Sequence, residues 1–182
     1  VMQIADQLSH LNALPPLDGR YAAKGQILRE TLSEAGFMAH RVEVEVAWLL
    51  GLSQAGLPEL PAFSDESRAL LHGLVKNFSE ADAARIKEIE KTTNHDVKAV
   101  EYWLKERVAG DAALSSAAEF IHFACTSEDI NNTSHALMLT RARAQFIVPR
   151  LTEVCNHLKT AARQFADQPM LSRTHGQPAS PP

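Results

Sequence analysis

Four short polar clusters hold the residue types that could do chemistry in this chain: DGRY at 18–21, TTNHD at 92–96, TSED at 126–129 and SRTHGQ at 172–177. Each interrupts apolar-patterned sequence, where side chains and free backbone N–H groups are open to a ligand. Arg20 offers paired planar donors that suit a phosphate, and Tyr21 adds an aromatic face and a hydroxyl beside it. The plainer reading of Arg20 is a surface cation that closes a turn. Asn94, His95 and Asp96 are richer than a helix cap requires, although Thr93 or Asn94 capping a helix near His95 would explain much of that polarity. An imidazole beside a carboxylate gains a fixed tautomer and a tuned basicity, which orients a histidine toward a substrate.

Thr126 and Ser127, followed by Glu128 and Asp129, read first as a helix start with an acidic opening turn. The same two hydroxyls at a helix N-terminus could hold an anion, provided the carboxylates point away or meet a cation. His175 lies in a loop bounded by glycine and proline rather than on an apolar helix face. No histidine or cysteine spacing matches a zinc site, so no metal is expected.

Helices must position these clusters. Residues 11–21, with two prolines and an Asp-Gly step, predict a loop. A helix is predicted over Gln26–Glu34 with Gly36 as its stop, and a second from Phe37 to about Leu52. Within the latter, RVEVEV alternates like a strand, but Val42, Val46, Leu49 and Leu50 fall at helical spacing, and the longer pattern favours helix. Ser64 and Ser79 predict caps, the first before a stripe of Leu70, Leu71, Leu74, Val75 and Phe78, the second before Ile86 and Ile89. Val97, Val100, Leu104 and Val108 predict a helix that ends at Gly110 and Asp111. The last long segment repeats apolar residues from Ile147 to Phe165 in the rhythm of a bundle helix, which Pro149 should kink or divide. No convincing strand appears, and the fold class is all-α.

Composition narrows the ligand. With 45% hydrophobic residues over 182 positions, the chain can bury a real core. A net charge of −4, with the 18 Lys and Arg scattered, provides no footprint for nucleic acid and favours a small molecule. Two cysteines without CxxC spacing fit a reducing, cytoplasmic setting. No secretory signal is read at the amino terminus, and no run reaches the roughly 18 apolar residues of a membrane span.

Together, PLDGRY, the run SEADAARIKEIEKTTNHDVKAVEYWLKERV, the run EFIHFACTSEDINNTSHALML and LSRTHGQPA resemble the adenylosuccinate lyase family, within the fumarase and aspartase superfamily. The resemblance covers nearly the whole chain, and the combination of NHDVKAVEY with TSEDI is similar to this branch rather than to fumarase, aspartase or argininosuccinate lyase. It implies an N-terminal helical domain over 1–111 and, over 112–182, the start of a central helical bundle, with the chain stopping mid-domain. The implied reaction is β-elimination of fumarate from adenylosuccinate, giving AMP, and from the succinyl-carboxamide imidazole ribotide (SAICAR), giving AICAR, with no cofactor. By position, His175 matches the family's general acid. Arg20 and Tyr21 match nucleotide contacts, Asn94, His95 and Asp96 a substrate-binding triplet, and Thr126 with Ser127 a hydroxyl pair at the substrate.

The family's base is a serine on a loop with a pattern like SSxMPxKxNP, which is absent from this sequence, so the 182 residues alone are expected to be inactive. The family gathers its site from three subunits of a homotetramer. The competing expectation is a non-catalytic helical module on the same fold, acting by binding or assembly.

Overall fold

The prolines and the Asp-Gly step do set the opening turns in the computed structural model, which describes residues 15–179. The amides of Asp18 and Gly19 donate to the Pro15 carbonyl, and that of Tyr21 to Pro16. Expectations for the amino-terminal ten residues, for 11–14 and for 180–182 fall outside the described residues. The chain forms two compact units that part between Ala142 and Arg143.

The first unit contains α1 (Ala22–Leu32), α2 (Glu34–Gln54), α3 (Asp65–Lys76), α4 (Glu80–Thr93), α5 (Asp96–Val108), α6 (Ala112–Ser116), a 3₁₀ turn (Ala118–Phe120) and α7 (Ser127–Ala142). The expected helix ending at Gly36 is corrected. The break comes at Ser33, whose hydroxyl accepts the Gly36 amide at 3.1 Å and so opens α2. Gly36 is a point of close approach rather than a stop: a Cβ there would stand 2.7 Å from the Glu30 carbonyl oxygen.

RVEVEV is helical. Val42, Val46 and Leu49 face the core, and their periodicity outweighs the local alternation. Arg41 and Glu45 share that buried face. Ser64 caps α3, and Ser79 with Asp82 forms a reciprocal capping box on α4. Of the expected α3 stripe, Leu71 is fully buried and the others pack partly buried around it, with Phe78 just past the helix end and edge-on to Trp103. Ser67 bonds Asp111, and Asp111 in turn caps α6, so the end of α5 is tied back to α3.

Between α4 and α5 the cap differs from expectation. Asn94 takes a left-handed backbone with φ 50° and terminates α4, while the Thr93 hydroxyl donates to the His95 carbonyl at 3.0 Å. His95, with extended backbone, is therefore the cap of α5, its Nδ1 accepting the Lys98 amide at 3.2 Å. At α7, Ile130, Ser134, Met138 and Ala142 form one buried row at four-residue spacing, packed on α1 and α2.

In the second unit a π-helical turn (Arg143–Ile147) leads into α8 (Val148–Gln164). Pro149 sits in the first turn of α8, where its missing N–H costs no helical bond, and the apolar segment is not divided there but runs on through one helix, which corrects that expectation. Ile147, Leu151, Val154, Leu158 and Phe165 remain exposed along it.

The reading that no strand appears is corrected in one place. Two short antiparallel strands, β1 (Arg173–Thr174) and β2 (Gln177–Pro178), pair Thr174 with Gln177 across His175 and Gly176. Both central residues have positive φ, 53° and 78°, as the favoured two-residue hairpin turn requires. The turn is usually signalled by Asn-Gly or Asp-Gly, and His-Gly serves because histidine tolerates this backbone better than most residues.

Candidate substrate site

Two of the four clusters meet. The α4–α5 turn carries Asn94, His95 and Asp96, and the start of α7 carries Thr126 and Ser127. His95 Nε2 lies 3.4 Å from Ser127 Oγ. Because Nδ1 receives the Lys98 amide, it must hold a lone pair, so neutral His95 carries its proton on Nε2 and points it at Ser127. The helix cap therefore selects the tautomer, not Asp96, whose Oδ1 stands 3.7 Å from Nδ1. That corrects the expectation that the adjacent carboxylate orients the ring.

Asp96 turns instead to Arg41 of α2. The Arg41 guanidinium is almost fully buried: Nη2 donates to Asp96 Oδ2, Nε donates to Asn131 Oδ1 at 2.9 Å, and its face lies 3.8 Å from the Phe37 ring. Phe37 in turn stacks on His135 of α7. Burial opposes ionisation of Asp96, but the Arg41 charge and the bonds from the Val97 amide and Arg41 outweigh it and hold the carboxyl below its ordinary value.

Thr126 and Ser127 divide their work. Thr126 and Asp129 form a reciprocal cap, the Thr126 amide donating to Asp129 Oδ2 at 2.7 Å and the hydroxyl donating at 2.9 Å. Glu128 accepts from the side chains of Asn131 and Asn132. Both carboxylates of TSED are thus occupied within α7, and the Ser127 hydroxyl is the one that faces His95.

The loop that delivers Thr126 is held from α2 as well. Glu45, fully buried, meets His122 Nδ1 at 2.6 Å, and Trp48 Nε1 donates to the Phe123 carbonyl at 2.8 Å. Burial pushes the Glu45 carboxyl up, against the pull of His122. His122 and Ala124 both have positive φ, 64° and 59°, a conformation costing non-glycine residues about 1 kcal/mol each. The Glu45 and Trp48 contacts offset that strain.

A groove of about 550 Å³ opens along Lys87, Glu90, Lys91, Asn94, His95 and Asp96. Its two lysines are paired with glutamates and are balanced along the lining by Glu90 and Asp96, so the groove is polar and of mixed charge. A serine nucleophile is not assembled here, because a histidine already protonated on Nε2 cannot take the Ser127 proton. A second groove of about 700 Å³ between α2 and α7 is lined mostly by apolar residues such as Val44, Trp48 and Leu137. Among the described residues no group of three or more His, Cys, Asp or Glu is set to hold a metal ion.

Neither Arg20 nor Tyr21 takes part in the pairing of His95 with Ser127. Arg20 is exposed, its guanidinium 5.6 Å from the Tyr21 ring, and Tyr21 is half-exposed at the start of α1. Among the described residues no hydrogen bond or ion pair joins them to the His95 turn. His175 belongs to the second unit, exposed at the tip of its hairpin. Sequence reading missed Arg41, Glu45, His122 and Asn131. The available signal was Arg41 and Glu45 at i and i+4, adjoining Val42 and Val46 on the face assigned to the core.

A family model described as Lyase matches residues 19–182. The chain belongs to that lyase family. It is 58% identical over 176 residues to an adenylosuccinate lyase of Haemophilus influenzae, covering 96% of this chain and 39% of that protein. Adenylosuccinate lyases of Vibrio cholerae and Escherichia coli K12 are 56% and 55% identical over the same span. The chain thus spans 39% of the length of the curated relatives it matches.

Proposed function

We propose that the protein containing this chain is an adenylosuccinate lyase, eliminating fumarate from adenylosuccinate to give AMP and from SAICAR to give AICAR, in purine biosynthesis. The observation that carries this reading is the 55–58% identity, across 96% of the chain, to proteins of that name. The pairing of His95 with Ser127 beside a groove of polar and charged residues of both signs supports it.

In this reading Arg20 and Tyr21 hold the nucleotide, with the arginine toward phosphate. Asn94, His95, Asp96, Thr126 and Ser127 line the substrate, and His95 and Ser127 are donors to an oxygen that gains negative charge as the succinyl proton leaves. His175 protonates the departing nitrogen, a task suited to imidazole near neutral pH. The base lies outside these 182 residues, and taken alone they are inactive. Residues 1–111 are the N-terminal domain and 112–182 the start of the bundle, whose exposed α8 stripe is covered in a homotetramer. The protein acts in the cytoplasm, and no helix among the described residues is long and apolar enough to cross a membrane.

The test is product analysis of the full protein with adenylosuccinate, beside His175→Ala. The expected outcome is equimolar AMP and fumarate from the parent, with kcat lowered about 100-fold or more in the variant. A protein that binds AMP but releases no fumarate would favour the non-catalytic module instead.

A further inference from the structure

A guanidinium taken out of water costs several kcal/mol in general unless it is well paired, and Arg41 is almost fully buried on the core face of α2. Its partners come from two other elements. Nη2 reaches Asp96, the residue after His95, and Nε reaches Asn131, four residues after Ser127. Its flat face rests on Phe37, which stacks on His135 at a centroid separation of 4.3 Å. Among the described residues the only direct side-chain hydrogen bond between the α5 start and α7 is the long His95–Ser127 contact itself. That 3.4 Å spacing needs an outside support, and Arg41 bonds to both sides of it.

We propose that Arg41 is a positioning residue for the elimination: its rigid fork sets the His95 turn against the start of α7 and so fixes where Nε2 and the Ser127 hydroxyl point. The proposal rests on the lyase reading for its activity arm. Lysine cannot replace the fork, because an ammonium is a point donor and cannot reproduce the planar geometry of Nε and Nη2 with an aromatic face beneath. The fold itself has other ties across the same elements. Arg141 grips Glu43 through two bonds of 2.6 Å between α7 and α2, and Val42 and Val46 pack in one core with Val100 and Leu104. Loss of the fork should therefore move the site more than the fold.

The experiment uses the full protein with Arg41→Lys, Asn131→Ala and the double variant, reading thermal midpoint, kcat, KM and the His95 ring nitrogens by ¹⁵N NMR. Arg41→Lys is expected to melt within a few degrees of the parent while kcat falls about 10-fold or more and KM changes less. Adding Asn131→Ala should cost little further, since both act through one bridge. The His95 signals should keep the single tautomer that the Lys98 amide sets, while the Nε2 resonance moves as its place against Ser127 is lost. An active parent whose Arg41→Lys variant keeps kcat within about twofold, or whose double variant shows additive losses, overturns the proposal. Should Arg41→Lys fail to fold, Asn131→Ala alone decides by the same kcat and NMR criteria. An inactive parent would sink the lyase reading instead, and the His95 Nε2 resonance would still decide the positioning role: displaced in the variant supports it, unchanged overturns it.

Discussion

His95 spends Nδ1 on a helix amide and so can offer only an N–H on its other side. From the sequence, Asp96 looks like its orienting partner because the two are adjacent. At a helix start, however, neighbouring side chains diverge, and Asp96 leaves for Arg41. Asn94, His95 and Asp96, and separately Thr126 and Ser127, were legible as polar clusters, since each breaks an apolar rhythm. Arg41 and Glu45 were not, because the reading of RVEVEV followed the valines and gave the charges between them no place. The Asp96 pairing has a pH signature. Its carboxyl titrates below its ordinary value of 3.8, so the pair's contribution is complete above that value and is lost as pH falls through the lower, folded one. Acidification from about pH 5 to about pH 3 should lower the melting temperature of the parent more steeply than that of Asp96→Asn. Parallel curves would show that the pairing contributes nothing to acid sensitivity.

At the scale of elements, caps were the most legible feature. Ser64, Ser79 with Asp82, and Thr126 with Asp129 all stand at helix starts, because short polar side chains that satisfy orphan amides do so wherever they precede an apolar row. Glycines were less legible, since the same residue serves as a helix stop or as a place for two backbones to touch. Gly36 is the second kind, and only the α1–α2 corner reveals it. A methyl group 2.7 Å from a carbonyl oxygen must displace backbone. Gly36→Ala should therefore destabilise by about 1–3 kcal/mol, less up to about 1 kcal/mol returned by better helix propensity. Thermal or urea unfolding measures this, and an unchanged or raised midpoint would mean that the corner opens freely. The hairpin around His175 escaped sequence reading for a related reason: its turn depends on two positive φ angles, and histidine is a weak sign of one.

Across the whole molecule, the all-α class was legible from periodicity alone, while the assembly of the site was not. No sequence pattern brings residue 41 to residues 96 and 131; packing of α2 between α5 and α7 does that. The second unit presents an exposed apolar stripe on α8, which the spacing of apolar residues from Ile147 to Phe165 anticipates, and which the proposed bundle would cover. The chain covers 39% of its relatives' length, so the reaction has to be read in the full protein. The most direct measurement is the rate of adenylosuccinate cleavage by that protein and by its His95→Gln variant, followed through the ultraviolet change as fumarate leaves. Cleavage by the parent, with kcat/KM reduced about 100-fold or more in the variant at an unchanged melting temperature, is the expected result. A parent that leaves adenylosuccinate intact, or a variant as fast as the parent, would contradict the assignment of this turn to the substrate.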